Sequence, residues 1–179
     1  MRQHEEQGMR AGFWATTAAA ALALGGCATI SGLGQTAAAT SEHARYMGLA
    51  AASELFEIEA AQVALTRARR PDVRAFAEML LRDHTRSAQA LASAAQRGGF
   101  VAPAGILDAG QRQMLNQLQN AGPETADALY LRQQEAAHGA AYDLHRAYAL
   151  NGDSTELREF AAMAAPIVRE HLAAAQRLD

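Results

Sequence analysis

The stretch PDVRAFAEMLLRDHTRSAQALASAAQRGG, residues 71–99, decides the fold. Pro71 stands where a helix can begin, because the first turn has no use for the missing N–H. Val73, Phe76, Leu80, Ala88 and Leu91 then recur at helical spacing and form one apolar stripe. Gly98 and Gly99 stop the helix, glycine being the residue that most readily takes the left-handed conformation past a helix end. Upstream, Glu42 to Arg69 forms the preceding long helix. Its apolar residues Leu55, Phe56, Ile58, Val63 and Leu65 keep a helical period at the ends and lose it at the centre. Downstream, FVAPAGILDAG (100–110) is a loop, and QRQMLNQLQNAG (111–122) is a short amphipathic helix with Met114, Leu115 and Leu118 on one face. Pro123 opens a third long helix that reaches Leu150. NGDS (151–154) is a turn, and Ser154 or Asp153 caps a fourth helix. Pro166 falls inside that last helix and should kink it or sit at a bulge. No alternating β-branched or aromatic run marks a strand. The expectation is an all-α chain: a ferritin-like four-helix bundle over residues 42–179, whose one long crossover, Gly98 to Gly122, carries a short helix.

An internal repeat supports this arrangement. VRAFAEM (73–79) matches LREFAAM (157–163), and RDHTRSAQAL (82–91) matches REHLAAAQRL (169–178), with three more residues between the blocks in the later copy. Alanine matches carry little weight in so alanine-rich a chain, but the Phe, Met, His and Gln matches carry more. The pattern reads as two helical hairpins related by duplication. It makes His84 the counterpart of His171, and Glu54 the counterpart of His138.

The N-terminal region has a different character. Ala11 to Leu24 is an uncharged apolar run of 14 residues, too short for a spanning helix but the right length for a secretory h-region. Leu24-Gly25-Gly26-Cys27 follows and resembles a bacterial lipobox. That resemblance implies lipidation of the Cys27 sulfur and cleavage before it, giving a signal peptide at 1–26. Residues 27–41, small and polar, read as a flexible tether. The expected location is the cell envelope, facing the periplasm and held to the membrane by lipid. Ala28, rather than Asp, after the cysteine points to the outer membrane. Glu5 and Glu6 do not suit a basic n-region, and a start at Met9 removes them.

The formal net charge of −3, with arginine as the only strong base, offers no basic footprint for nucleic acid. One cysteine cannot make an internal disulfide, so helix packing must supply the stability.

The stretches VRAFAEMLLRDHTRSAQALASAAQRGG, ADALYLRQQEAAHGAAYDLHRAYA and LREFAAMAAPIVREHLAAAQRL together resemble the signature stretches of the bacterial domain-of-unknown-function 4142 family. The resemblance covers Glu42 to Asp179 and implies a ferritin-like bundle in exported proteins. It implies no activity and carries over no catalytic residue.

Di-iron bundles place a Glu on each of two helices and Glu-x-x-His on each of the other two. Here only Glu135 and His138 have that spacing; Leu81 and Val168 stand three before His84 and His171. The di-iron oxidase site is therefore absent. What remains is a candidate site for one divalent transition metal, built from Glu54, His84, Glu135, His138 and His171, with Asp83 and Glu170 nearby. The competing reading makes these histidines bundle-lining groups hydrogen-bonded to facing carboxylates, and sequence alone favours it. His145 reads as surface, Glu57 and Glu59 as a solvated face, His43 as without a role, and Met47, Met79, Met114 and Met163 as core filler. Nothing resembles a nucleophile elbow or a phosphate-binding loop. Two functions follow: a non-enzymatic envelope lipoprotein with a structural, stress-related or partner-binding role, which is the first reading, and a metal-binding bundle, which is the alternative. No protein partner can be named.

Overall fold

The structure, a computed structural model, describes residues 41–179. Cys27, the signal peptide and all but the end of the tether lie outside the described residues. Five helices follow: α1 Glu42–Arg67, α2 Pro71–Arg97, α3 Ala109–Gln119, α4 Ala126–Asn151 and α5 Thr155–Leu178. No strand is present among the described residues.

Local chemistry sets most boundaries. Pro71 occupies the first turn of α2. Its C-terminus closes with Phe100 N–H on the Ala95 carbonyl and Gly99 N–H on that of Gln96, and Gly99 takes φ +77°. This double bond pattern is the Schellman termination, which needs a left-handed residue. Asp108 and Gln111 form a reciprocal capping box at the start of α3. Ser154 accepts from Leu157 N–H at α5. One boundary differs from expectation: Pro123 does not open α4. It lies in a turn whose Gly122 carbonyl accepts from Thr125 and Ala126 N–H, and the helix begins at Ala126. α5 runs through Pro166 as continuous α-helix. Pro166 and Ala162, whose carbonyl loses its partner, are both exposed, so the freed oxygen faces solvent.

Contacts at the helix ends fix the topology. His43 at the start of α1 stacks on Phe100 just past the end of α2. Tyr46 in α1 stacks on Tyr148 near the end of α4, with ring centroids 3.8 Å apart. The Arg70 guanidinium at the start of α2 reaches the Leu178 carbonyl at the end of α5. Neighbouring helices are thus antiparallel in each of these pairs, and α4 runs with α2. The crossover must therefore climb the length of the bundle. Along the way it lays Gly105 against the Ala51 carbonyl and brings Gln111 to the Ala52 carbonyl. Met114 receives a bond from Gln133, and Asp127 finally accepts from the N–H groups of Arg69 and Arg70.

The interior is built in three levels. One apolar cluster contains Phe56, Val73, Phe76, Leu80, Leu118, Tyr130 and Leu131. A second, at the other end, contains Tyr46, Leu91, Tyr148, Leu157 and Phe160. Buried alanines such as Ala60, Ala61, Ala94 and Ala161 let the helices approach closely in both. Between them lies a polar level holding Glu54, Glu57, His84, His138 and His171, all buried. This level explains the broken apolar period of α1: its centre turns Glu54 and Glu57 inward, while Leu55 and Ile58 are half-buried.

Candidate metal centre

His84 comes from α2, His138 from α4 and His171 from α5. Each pair of rings has its centroids 5.4 Å apart, so the three form an even triangle. One nitrogen from each lies within 4.8 Å of the other two. His84 Nε2 and His138 Nε2 are 3.3 Å apart. Two imidazole nitrogens on one tetrahedral ion at 2.0–2.1 Å would be separated by about 3.3–3.4 Å.

The outer nitrogens are all held. His84 Nδ1 donates to Glu54 Oε2 at 2.7 Å, and the other Glu54 oxygen accepts from the Ser87 hydroxyl. His138 Nδ1 donates to the Gln134 carbonyl at 2.9 Å. His171 Nε2 lies 3.3 Å from Asp83 Oδ2, which leaves Nδ1 buried without a partner. A carbonyl can only accept, so His138 carries its proton on Nδ1 and presents a bare lone pair at Nε2. A carboxylate on His84 Nδ1 likewise leaves Nε2 as lone pair in the neutral ring. Two lone pairs facing at 3.3 Å repel unless a proton or a cation lies between them. Outer-nitrogen partners of this kind fix the ring orientation of metal-binding histidines.

The electrostatics follow from burial. Burial pulls the His138 pKa down to about 3, helped by His84 and His171, so the ring is neutral at ordinary pH. Burial also lowers His171, with His84 adding to it and Asp83 opposing. For His84 burial is outweighed by the Glu54 hydrogen bond and the nearby carboxylates, and its pKa is raised. Glu57 is 1 % exposed, not on a solvated face. Its Oε1 is 3.7 Å from His138 Nδ1, and burial lifts its pKa to about 7.

Of the residues singled out from sequence, Glu54, His84, His138 and His171 are brought together. Glu135 is not: it is half-exposed and outside the three-histidine group. Asp83 serves His171 rather than standing free. His145, expected at the surface, is 1 % exposed; its Nδ1 is hydrogen-bonded to the Tyr46 hydroxyl at 2.9 Å, and burial lowers its pKa to about 4. A spacing of seven from His138 returns to the same helix face, and that was the available signal. His43 ties the bundle end together through Asp153 at 2.8 Å. Met163 is 58 % exposed and does not fill the core.

The fold and this level define a class: a four-helix bundle with a buried three-histidine cluster and carboxylates behind it. Residues 29–178 match the family described as a domain of unknown function, DUF4142. The chain belongs to the DUF4142 family. Comparisons with curated proteins and with solved structures find no match.

Proposed function

We propose that this chain is an envelope lipoprotein, anchored through Cys27, whose ferritin-like bundle binds one divalent transition-metal ion through His84, His138 and His171. The carrying observation is the pair of imidazole nitrogens facing at 3.3 Å with both outer nitrogens engaged. Three nitrogen donors suit zinc, copper or iron. Glu54, the Gln134 carbonyl and Asp83 orient the three rings. The neutral His138 offers its lone pair without competition from a proton.

A second reading has one observation in its favour. His84, with its raised pKa, can be an imidazolium that donates to His138, so that a proton takes the place of the ion. The bundle would then be a structural or partner-binding module. The partner-binding role rests on no particular residue, whereas the metal role does, and the two are separable by metal analysis.

The soluble chain Ala28–Asp179, stripped with chelator and reloaded with zinc, copper, iron or cobalt, should retain one ion per chain. Single His84→Ala, His138→Ala and His171→Ala variants should lose it while their helical circular dichroism persists. A wild-type chain that retains none of these ions at micromolar concentrations refutes the metal reading. For the anchor, Cys27→Ser should leave an unlipidated, uncleaved precursor; a Ser variant that partitions with membrane in detergent separation just as wild type does would refute lipid attachment. Among the described residues no helix is long and apolar enough to cross a membrane.

A further inference from the structure

The geometry points to an open fourth position on that ion, reached through a cleft between α2 and α5 and taken by a small exogenous anion. This rests on the metal reading above.

Donor supply is the first argument. Both Glu54 oxygens are committed, one to His84 and one to Ser87. Glu57 approaches His138 only at its outer nitrogen, and Asp83 sits on His171. No carboxylate completes the three-histidine group among the described residues. Sites with three protein ligands keep a position for water or another exogenous ligand, whereas closed structural sites use four.

Access is the second. A cleft of about 710 Å³ lies along the α2–α5 seam, and His84 and His171 both line it. Each is 5 % exposed, while His138 on α4 is 0 % exposed. The ion would therefore be approached from the α2–α5 side. The seam is open because Ala90, Ala164 and Ala174 are too short to fill it. Met163 and Ile167 on its wall are left half-exposed for the same reason.

Chemistry selects the ligand. Three neutral imidazoles leave a divalent ion with its full charge. Glu54 is engaged with His84 and Ser87 and Asp83 with His171, and the rim carries Arg86 and Arg177 beside Glu170. The walls are otherwise mostly apolar, so water competes poorly there and an anion small enough to reach the ion is favoured. Hydroxide belongs to this class. Zinc in such surroundings brings the pKa of bound water to about 7, and added anions then compete with hydroxide.

The test uses the full chain in detergent, loaded with copper(II) and titrated with azide. A saturable one-to-one complex should appear as an azide-to-copper charge-transfer band. Ala90→Trp, at an exposed cleft position, should keep one copper per chain and weaken azide at least tenfold. Ile167→Trp should do the same from the opposite wall, and Leu150→Trp, exposed and away from the cleft, should leave azide binding unchanged. Copper bound without any azide complex overturns the open position. Azide binding unaffected by both cleft variants overturns the route. A chain that takes up no copper or other transition metal fails at the earlier step and takes this inference with it.

Discussion

Replacing Glu54 by Gln tests the carboxylate behind His84 with little disturbance of shape. Glu54 is buried, and its oxygens accept from His84 Nδ1 at 2.7 Å and from Ser87. A glutamine oxygen can still accept from the ring, and its amide can donate to the serine oxygen, so no hydrogen-bonding group need be stranded. What disappears is the negative charge that makes His84 a stronger donor to an ion. Loss of such an outer partner typically costs 10–100-fold in metal affinity, or about 1.4–2.7 kcal/mol. The same energy should appear in thermal melting. A domain of about 140 residues has an unfolding entropy near 0.3 kcal/mol/K, so at a fixed free-metal concentration the rise in Tm on adding metal should shrink by roughly 5–9 °C. Competition with a chromophoric chelator measures the affinity, and paired melts with and without metal measure the gap. Equal affinity and an equal melting gap for Glu54→Gln and wild type would refute the orienting role of Glu54.

Tyr46→Phe leaves the buried His145 Nδ1 without its hydrogen-bond partner and should lower stability by about 1–3 kcal/mol; a double-mutant cycle with His145→Phe should recover most of it, and an additive double variant would argue against the bond. The pH dependence of the metal-free protein should reflect opposed groups, the buried histidines with lowered pKa, such as His145, against Glu57. His145, with its pKa lowered from 6.5 to about 4, contributes stability above pH 6.5 that is lost as pH falls toward 4. Glu57, raised from 4.5 to about 7, contributes stability below pH 4.5 that is lost as pH rises toward 7. Glu57→Gln should therefore be more stable than wild type at pH 7–8 and lose stability more steeply on acidification; urea melts across pH 4–8 decide, and parallel curves would contradict it. Gly105→Ala would put a Cβ 2.6 Å from the Ala51 carbonyl and should destabilise by about 1–3 kcal/mol, whereas Gly139→Ala, inside α4 with nothing within 4 Å, should stabilise by about 0.5–1 kcal/mol. Melting of the two variants checks both signs.

Helices α2 and α5 were the legible part of the sequence, because each buries one apolar stripe and ends in recognisable chemistry. Pro71 and Gly98-Gly99 delimit α2 as expected, and Ser154 starts α5. Helices α1 and α4 were harder, for a physical reason. They bury Glu54 and Glu57, and Gln133, Gln134, His138 and His145, at positions where periodicity looks for apolar residues. A buried acid and a solvated acid are the same letter, so Glu57 was placed on the wrong side. Pro123 misled by one turn, since proline suits a preceding tight turn as well as a first helical position. The histidine cluster was legible through the repeat, which ties positions across the bundle that no single-helix pattern connects. Its outer partners were less so: Gln134 contributes a backbone carbonyl, which any residue could supply.

The repeat extends to the helix boundaries themselves. The start and end of α1 and the start of α2 recur in α4 and α5 at one offset of 84 residues: 42 to 126, 67 to 151 and 71 to 155. Tyr46 maps by that offset to Tyr130, and each is fully buried in one of the two opposite apolar clusters. A duplicated hairpin packed against its copy has an approximate two-fold axis, and groups near that axis meet their own counterparts. His84 and His171 do so across the α2–α5 seam. Glu54 and His138 occupy the second equivalent pair, and here the halves have diverged: the glutamate backs a histidine, and the histidine joins the cluster. His171 also lies 87 residues after His84 rather than 84, three residues further along its helix. Three residues in an α-helix are about 4.5 Å of rise and close to a full turn, so the displaced histidine keeps its inward face and changes its level. The divergence supplies a test. Glu54→His would restore the symmetric pair and put a fourth imidazole on the helix that now backs His84. If the divergence is what leaves the ion its open position, this variant, once loaded with metal, should bind azide at least tenfold more weakly than wild type. Undiminished azide binding by a metal-loaded Glu54→His variant would show that the open position does not depend on the asymmetry between the two halves.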